Sequence, residues 1–148
     1  MSESSWDIYV HPACLEQVAK YKSRALLAQT KVGSDWVKTT SGKKYLALSN
    51  QMQVVIPANP GSTYFRQGNT LGPRFKHWLR AKFLSRYRLF FRYSSLSKII
   101  VYGWVNDDES LRAYNSETDA YTTFRKMLEA GKVPNSWDEL VAEAKKLS

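Results

Sequence analysis

Two short stretches, WLRAKF (residues 78–83) and RYRLFFRY (residues 86–93), hold five basic side chains within sixteen residues. Read with the two-residue period of a strand, Arg80 and Lys82 share a face with Trp78, and Arg86, Arg88 and Arg92 share a face with Phe90. The opposite faces carry Leu79, Ala81 and Phe83 in one strand and Tyr87, Leu89, Phe91 and Tyr93 in the other. Those apolar faces read as core. The basic faces read as a site for something negatively charged. A planar guanidinium can engage two phosphate oxygens at once, so Arg88 is the first candidate to hold a phosphate. Arg80 and Lys82 would hold adjacent phosphates, with Lys82 also a candidate acid or base. Histidine titrates near neutrality, which makes His77, just before the first stretch, the other candidate general base. Lys76, Arg86 and Arg92 lie toward the ends of this face as phosphate contacts. Phe90, out of place as core among arginines, suits a platform for a nucleobase.

Cleavage of a phosphodiester without a metal requires removal of a proton from the attacking oxygen, stabilisation of the charge on the phosphorane and protonation of the departing oxygen. A basic face with nitrogen acids and bases fits those tasks. Metal chemistry fits less well: Asp107, Asp108 and Glu109 form a dense carboxylate group, but three consecutive acids on a turn cannot all point at one ion. No metal or cofactor is expected.

The net charge is +9, and its distribution says more than its size. All thirteen carboxylates lie at or before Asp35 or at or beyond Asp107, while the intervening residues 36–106 hold twelve lysines and arginines. Solubilising charge ordinarily mixes both signs. A long carboxylate-free segment interleaved with aromatic residues is instead the footprint of a nucleic-acid surface, or of a surface for an acidic protein partner.

At 148 residues and 17.0 kDa, residues 1–148 are expected to form a single domain large enough to bury a core without metals or disulfides. One cysteine, Cys14, cannot form an internal disulfide and reads as a packing residue in a reducing compartment. The first residues show no basic region followed by an apolar run, and no apolar segment approaches the length of a membrane span. The expected location is the cytoplasm, with no membrane contact.

These side chains need elements to position them. Residues 5–10 read as a strand, and Pro12 opens a helix with Leu15, Val18, Leu26 and Leu27 on its apolar positions. A second helix, weakened by Gly42, is expected from 35 to about 55, followed by a long loop over 57–75. Strands at 78–83, 86–93 and 98–105 are joined by connections so short that they must be antiparallel hairpins. A helix over 119–130, closed by Gly131 and Pro134, precedes one that opens on a Ser136 to Glu139 capping box and runs to 146. The fold class is α+β: an N-terminal strand and two helices, then an antiparallel sheet with C-terminal helices.

Several longer motifs carry a resemblance. FRQGNTLG, KHWLRAKF, RYRLFFRY, KIIVYGWVNDDESLRAY and DAYTTFRKMLEAGKVPNSWDEL, in that order, resemble the YhaV family of bacterial toxins in the RelE/ParE superfamily, and DIYVHPACLEQV is similar to the family's opening. The resemblance implies a RelE-like fold and an endoribonuclease of a type II toxin–antitoxin pair, an mRNA interferase acting on messenger RNA, in this superfamily often on the ribosome. It also implies a PrlF-type, AbrB-like antitoxin as partner, with operator DNA contacted only through that antitoxin. By the superfamily's pattern, Arg80, Lys82 and Arg88 match its basic catalytic residues and Tyr114 of LRAY matches its distal tyrosine. Where RelE has an arginine six residues before that tyrosine, this chain has Asp108, and Arg112 lies close enough to substitute. The superfamily's ParE branch acts without cleaving RNA, so a non-cleaving toxin or an interaction protein is the alternative reading.

Overall fold

The computed structural model describes residues 5–113 and 118–147. Strand β1 (Asp7–Val10) leads into the 21-residue helix α1 (Pro12–Val32). Pro12 occupies the first turn, where its missing N–H costs nothing. Before it, buried His11 caps the helix: Nδ1 accepts the Ala13 N–H at 3.1 Å and Nε2 lies 2.8 Å from Glu143 Oε1. A 3-10 segment, Gly33–Lys38, then delivers the chain to α2 (Thr40–Asn50), capped by the Thr39 hydroxyl accepting from Gly42 N–H at 3.0 Å. The helix thus starts later than 35. Gly42 proves to be a requirement rather than a weakness, because a Cβ there would lie 2.0 Å from the Trp36 carbonyl oxygen. Helical backbone continues through a π-turn at Gln51–Val55 into α3 (Ile56–Ala58).

The loop that follows is compact. Its 3-10 turns, Thr63–Phe65 and Pro73–Phe75, bury Phe65 and Phe75. Gln67 ties them together, donating to the Phe75 carbonyl and accepting from Leu71 N–H, each at 3.0 Å.

Strands β2 (Leu79–Phe83), β3 (Tyr87–Ser94) and β4 (Ile99–Val105) form the expected antiparallel meander. β1 lies parallel beside β4, from Asp7 opposite Ile99 to Val10 opposite Tyr102. The sheet is therefore mixed, which corrects the expectation of a purely antiparallel one. After α4 (Ala120–Glu129), the last helix α5 (Trp137–Glu143) stops short of 146, and Lys145–Lys146 adds a short antiparallel β5 to the free edge of β1. Strand order is β2-β3-β4-β1-β5.

Both faces of this sheet are covered. Leu89, Phe91, Ile100, Tyr102 and Val105 meet Cys14, Leu48 and Ile56 from the N-terminal helices. On the other face, Phe90, Val101 and Trp104 meet Phe124 and Leu128 of α4, Leu140 of α5 and Trp78. Val101 and Trp104 share a face although three residues apart, because the β3–β4 register slips between Phe90 and Phe91 and leaves Gly103 unpaired as a bulge. Trp78 fills the space beside it, where a Cβ on Gly103 would come within 2.6 Å of the indole. Cys14 is fully enclosed, burial pushes its thiol well above the ordinary value, and its role is packing. Among the described residues no helix is long and apolar enough to cross a membrane.

Candidate active site and nucleic-acid interface

The β2–β3 register sets Lys82 directly opposite Arg88 and Arg80 opposite Phe90, so the basic side chains of both strands emerge from one face, as their spacing requires. Across Phe90 lies α4, whose first turn is fixed by the Asp119 cap: one carboxylate oxygen accepts from Tyr121 N–H at 2.9 Å and from Thr122 N–H at 3.4 Å. That cap aims Tyr121 back at the strands.

Tyr121 is the organising residue. Its hydroxyl oxygen accepts from Arg80 Nε at 3.1 Å and from Arg88 Nε at 3.2 Å. Both lone pairs of the phenol are then occupied, so its own O–H can act only as a donor. Arg88 is only 7% exposed, and its Nη1 donates to the carbonyls of Ser85 at 2.8 Å and Tyr87 at 3.0 Å. Arg80 Nη1 donates to the Tyr64 carbonyl at 2.8 Å. Two guanidiniums are thus held by neutral acceptors, and among the described residues neither is paired with a carboxylate. Lys82 stands exposed beside them.

A third guanidinium completes the cluster. Arg112 lies over the Tyr121 ring, 4.6 Å from its centroid, and Nη1 meets Asp119 Oδ1 at 2.8 Å. Arg86 joins through its Nε, which donates to the Arg112 carbonyl at 3.1 Å. Asp108, which stands where the resemblance leads one to expect an arginine, points elsewhere: it accepts from Lys44 Nζ at 2.8 Å and from the Tyr87 hydroxyl, with Arg24 nearby at 3.8 Å. Hydrogen bonds from Lys44 and Tyr87 hold its carboxyl below the usual carboxylate value. Burial alone would raise neighbouring Asp107, but hydrogen bonds from Gln17, Ser110 and the Glu109 N–H, with Lys20, hold it low as well. This acidic turn is tied to α1 and α2, away from the arginine–tyrosine cluster.

The remaining basic candidates gather elsewhere. His77, Lys76 and Arg92 line a cleft of about 820 Å³, together with Arg66, Tyr93 and Trp137. Arg80, Lys82 and Arg88 do not line it, so the structure does not bring His77 to Arg88. Arg92 is held between indoles, 5.8 Å from the Trp78 centroid and 5.6 Å from that of Trp137, and its Nη1 donates to the Asn135 carbonyl.

Phe90 requires a correction. It is 0% exposed, stacked on Phe124 with centroids 4.5 Å apart and edge-on to Tyr121 at 5.4 Å. The strand period places it correctly on the arginine face, but α4 covers that face at its centre, so no base can reach it. Tyr114 lies outside the described residues. Sequence reading passed over Tyr121, although DAYTTF carried a signal: an Asp cap two residues before a tyrosine fixes that side chain in the first turn of a helix.

Residues 8–145 match a family described as a toxin with endonuclease activity, of a toxin–antitoxin system. Over 145 residues the chain is 39% identical to the ribonuclease toxin YhaV of Escherichia coli K12, covering 95% of this chain and 92% of the relative. The toxin YhaV of E. coli O157:H7 matches to the same extent, and that of E. coli O6:H1 is 37% identical over 142 residues. No solved structure matches. A basic α+β chain matched almost end to end in this way is a toxin endonuclease. The chain belongs to the YhaV toxin family.

Proposed function

We propose that this chain is an endoribonuclease that cuts messenger RNA on the ribosome without a metal, at the cluster of Arg80, Lys82, Arg88, Arg112 and Tyr121. The observation that carries the reading is the pair of guanidiniums converging on one phenol oxygen. That arrangement gathers fixed positive charge and a phenol O–H at one point beside the exposed Lys82, as charge stabilisation of a phosphorane requires.

In the proposed reaction the 2′-oxygen attacks the adjacent phosphorus and the bond to the 5′-oxygen breaks, leaving a 2′,3′-cyclic phosphate. Arg88 and Arg80 hold the non-bridging oxygens as negative charge grows. Tyr121 gives its proton to the departing 5′-oxygen, and Lys82, across the strand pair from Arg88 and acting in its unprotonated amine form, takes the proton of the 2′-OH. Arg86 and Arg112 hold the flanking phosphate. Its partner in the cytoplasm is proposed to be a PrlF-type antitoxin, which would contact operator DNA on the pair's behalf.

The test is to incubate the protein and its Arg88→Ala variant with ribosomes and messenger RNA in EDTA and to map the cuts. Cutting by the wild type alone is expected. Loss of wild-type cutting in EDTA refutes the metal-free route, and full cutting by Arg88→Ala removes that residue from the site.

A further inference from the structure

We infer that the cleft between the β3–β4 turn, α5 and the loop before β2 is a second RNA subsite, which holds an unpaired nucleotide next to the cut and reads it by stacking. The inference rests on the proposed RNA cleavage and adds where the strand goes beyond the reacting phosphate.

Four cationic or titratable side chains, Arg66, Lys76, His77 and Arg92, converge on this cleft, and no carboxylate is among the described residues lining it. Its volume, about 820 Å³, is at the upper end of small-ligand sites and has room for a nucleotide. Charge alone would suit any anion. The aromatic content narrows the choice: half-buried Trp137 stands in the wall, and Arg92 is sandwiched between it and Trp78. Burial depresses Arg92 from its ordinary value, yet a guanidinium stays protonated in proteins. Trp137, lining the cleft with this cation against it, therefore offers an aromatic surface of the kind on which bases stack. Leu96, 98% exposed on the β3–β4 turn, adds an apolar side chain at the edge.

Position supports the same ligand. Arg92 follows Arg88 by four residues on one face of β3, a separation of roughly 13 Å at about 3.3 Å per residue. A single strand of RNA can cross both. Gly61 lets the opposite wall close in, since a Cβ there would come within 2.8 Å of the Tyr93 hydroxyl. An acidic peptide would use the cations but leave the indole–guanidinium stack without a purpose.

The experiment measures fluorescence anisotropy with a labelled, uncleavable 2′-O-methyl RNA oligonucleotide across a salt series. Trp137→Ala is expected to weaken binding by about tenfold, the scale of one lost base stack. The double variant Arg66→Gln, Lys76→Gln, at exposed positions that leave the core untouched, is expected to lower the slope of log affinity against log salt by about 1.4, or about 0.7 per phosphate contact. Moving one abasic site along the oligonucleotide should find a position where wild-type binding falls by the same factor and Trp137→Ala shows no further loss. Wild-type affinity and slope in the double variant overturn the inference even if Trp137→Ala fails to fold. Loss of binding to a polyglutamate peptide, with RNA binding unaffected, overturns it in favour of an acidic protein partner. Absence of cleavage by the wild type counts against the proposed function, whereas wild-type cleavage with unaltered RNA binding by the cleft variants counts against the subsite alone.

Discussion

Tyr121→Phe isolates the hydroxyl from everything else the residue does. The ring remains, with its edge against Phe90 and its face under Arg112, so packing is preserved. What disappears is the acceptor for Arg80 Nε and Arg88 Nε. Arg80 is half-exposed and can recover a water. Arg88 is 7% exposed, so its Nε is left buried and unsatisfied, at a cost of about 1–3 kcal/mol. For a domain of this size that corresponds to a fall in melting temperature of roughly 2–12 °C. Activity should fall further than stability does, since loss of a positioned proton donor typically lowers kcat by about 10²–10⁴. Single-turnover cleavage of a defined messenger RNA on ribosomes, with thermal melts on the same preparations, reads both quantities. A variant that melts lower as expected yet cleaves within about threefold of wild type refutes the proton-donor role and reduces Tyr121 to a scaffold for the arginines.

Other perturbations separate the remaining roles. Lys82→Arg replaces the amine with a guanidinium that cannot take a proton, so kcat should fall by about a hundredfold or more; wild-type kcat shows that position 82 contributes charge alone. Phe90→Ala should cost about 3–5 kcal/mol through the cavity it opens beneath α4, seen as a lower urea midpoint, and near-wild-type stability contradicts the buried position. Asp107 and Asp108 are both held low in the folded state. Their stabilisation is therefore present above the unfolded carboxylate value of about 4 and is lost as pH falls through the lower folded values. Melting temperature should decline below about pH 4, and Asp108→Asn should flatten that decline.

The strand period read from the sequence assigned each residue of β2 and β3 to a face, and the hairpin connections gave their antiparallel order. That much is local information. The parallel pairing of β1 with β4 joins segments more than ninety residues apart, and no spacing within either segment announces it. The same limit explains Phe90. Its face was legible, but whether water or α4 lies over that face depends on where a distant helix docks. The proposed site shows the pattern again: Arg80, Lys82 and Arg88 are grouped by spacing, whereas Tyr121, forty-one residues after Arg80, reads alone as the apolar side of an amphipathic helix. His77 was grouped with the strand it precedes, yet the turn before β2 directs it into the cleft with Lys76 and Arg92.

The mixed sheet also orders events in time. β1 is among the first segments to be synthesised, yet its hydrogen-bonding neighbours are β4 and β5, so it has no partner strand until most of the chain exists. Pairings of such long sequence separation form late and slowly, and domains fold as units while synthesis proceeds. The phenol that gathers the arginines comes later still, on a helix that follows every strand of the meander. A nascent chain therefore carries the basic residues long before it carries the geometry, and the proposed catalytic centre is completed only in the last stretch of its own translation.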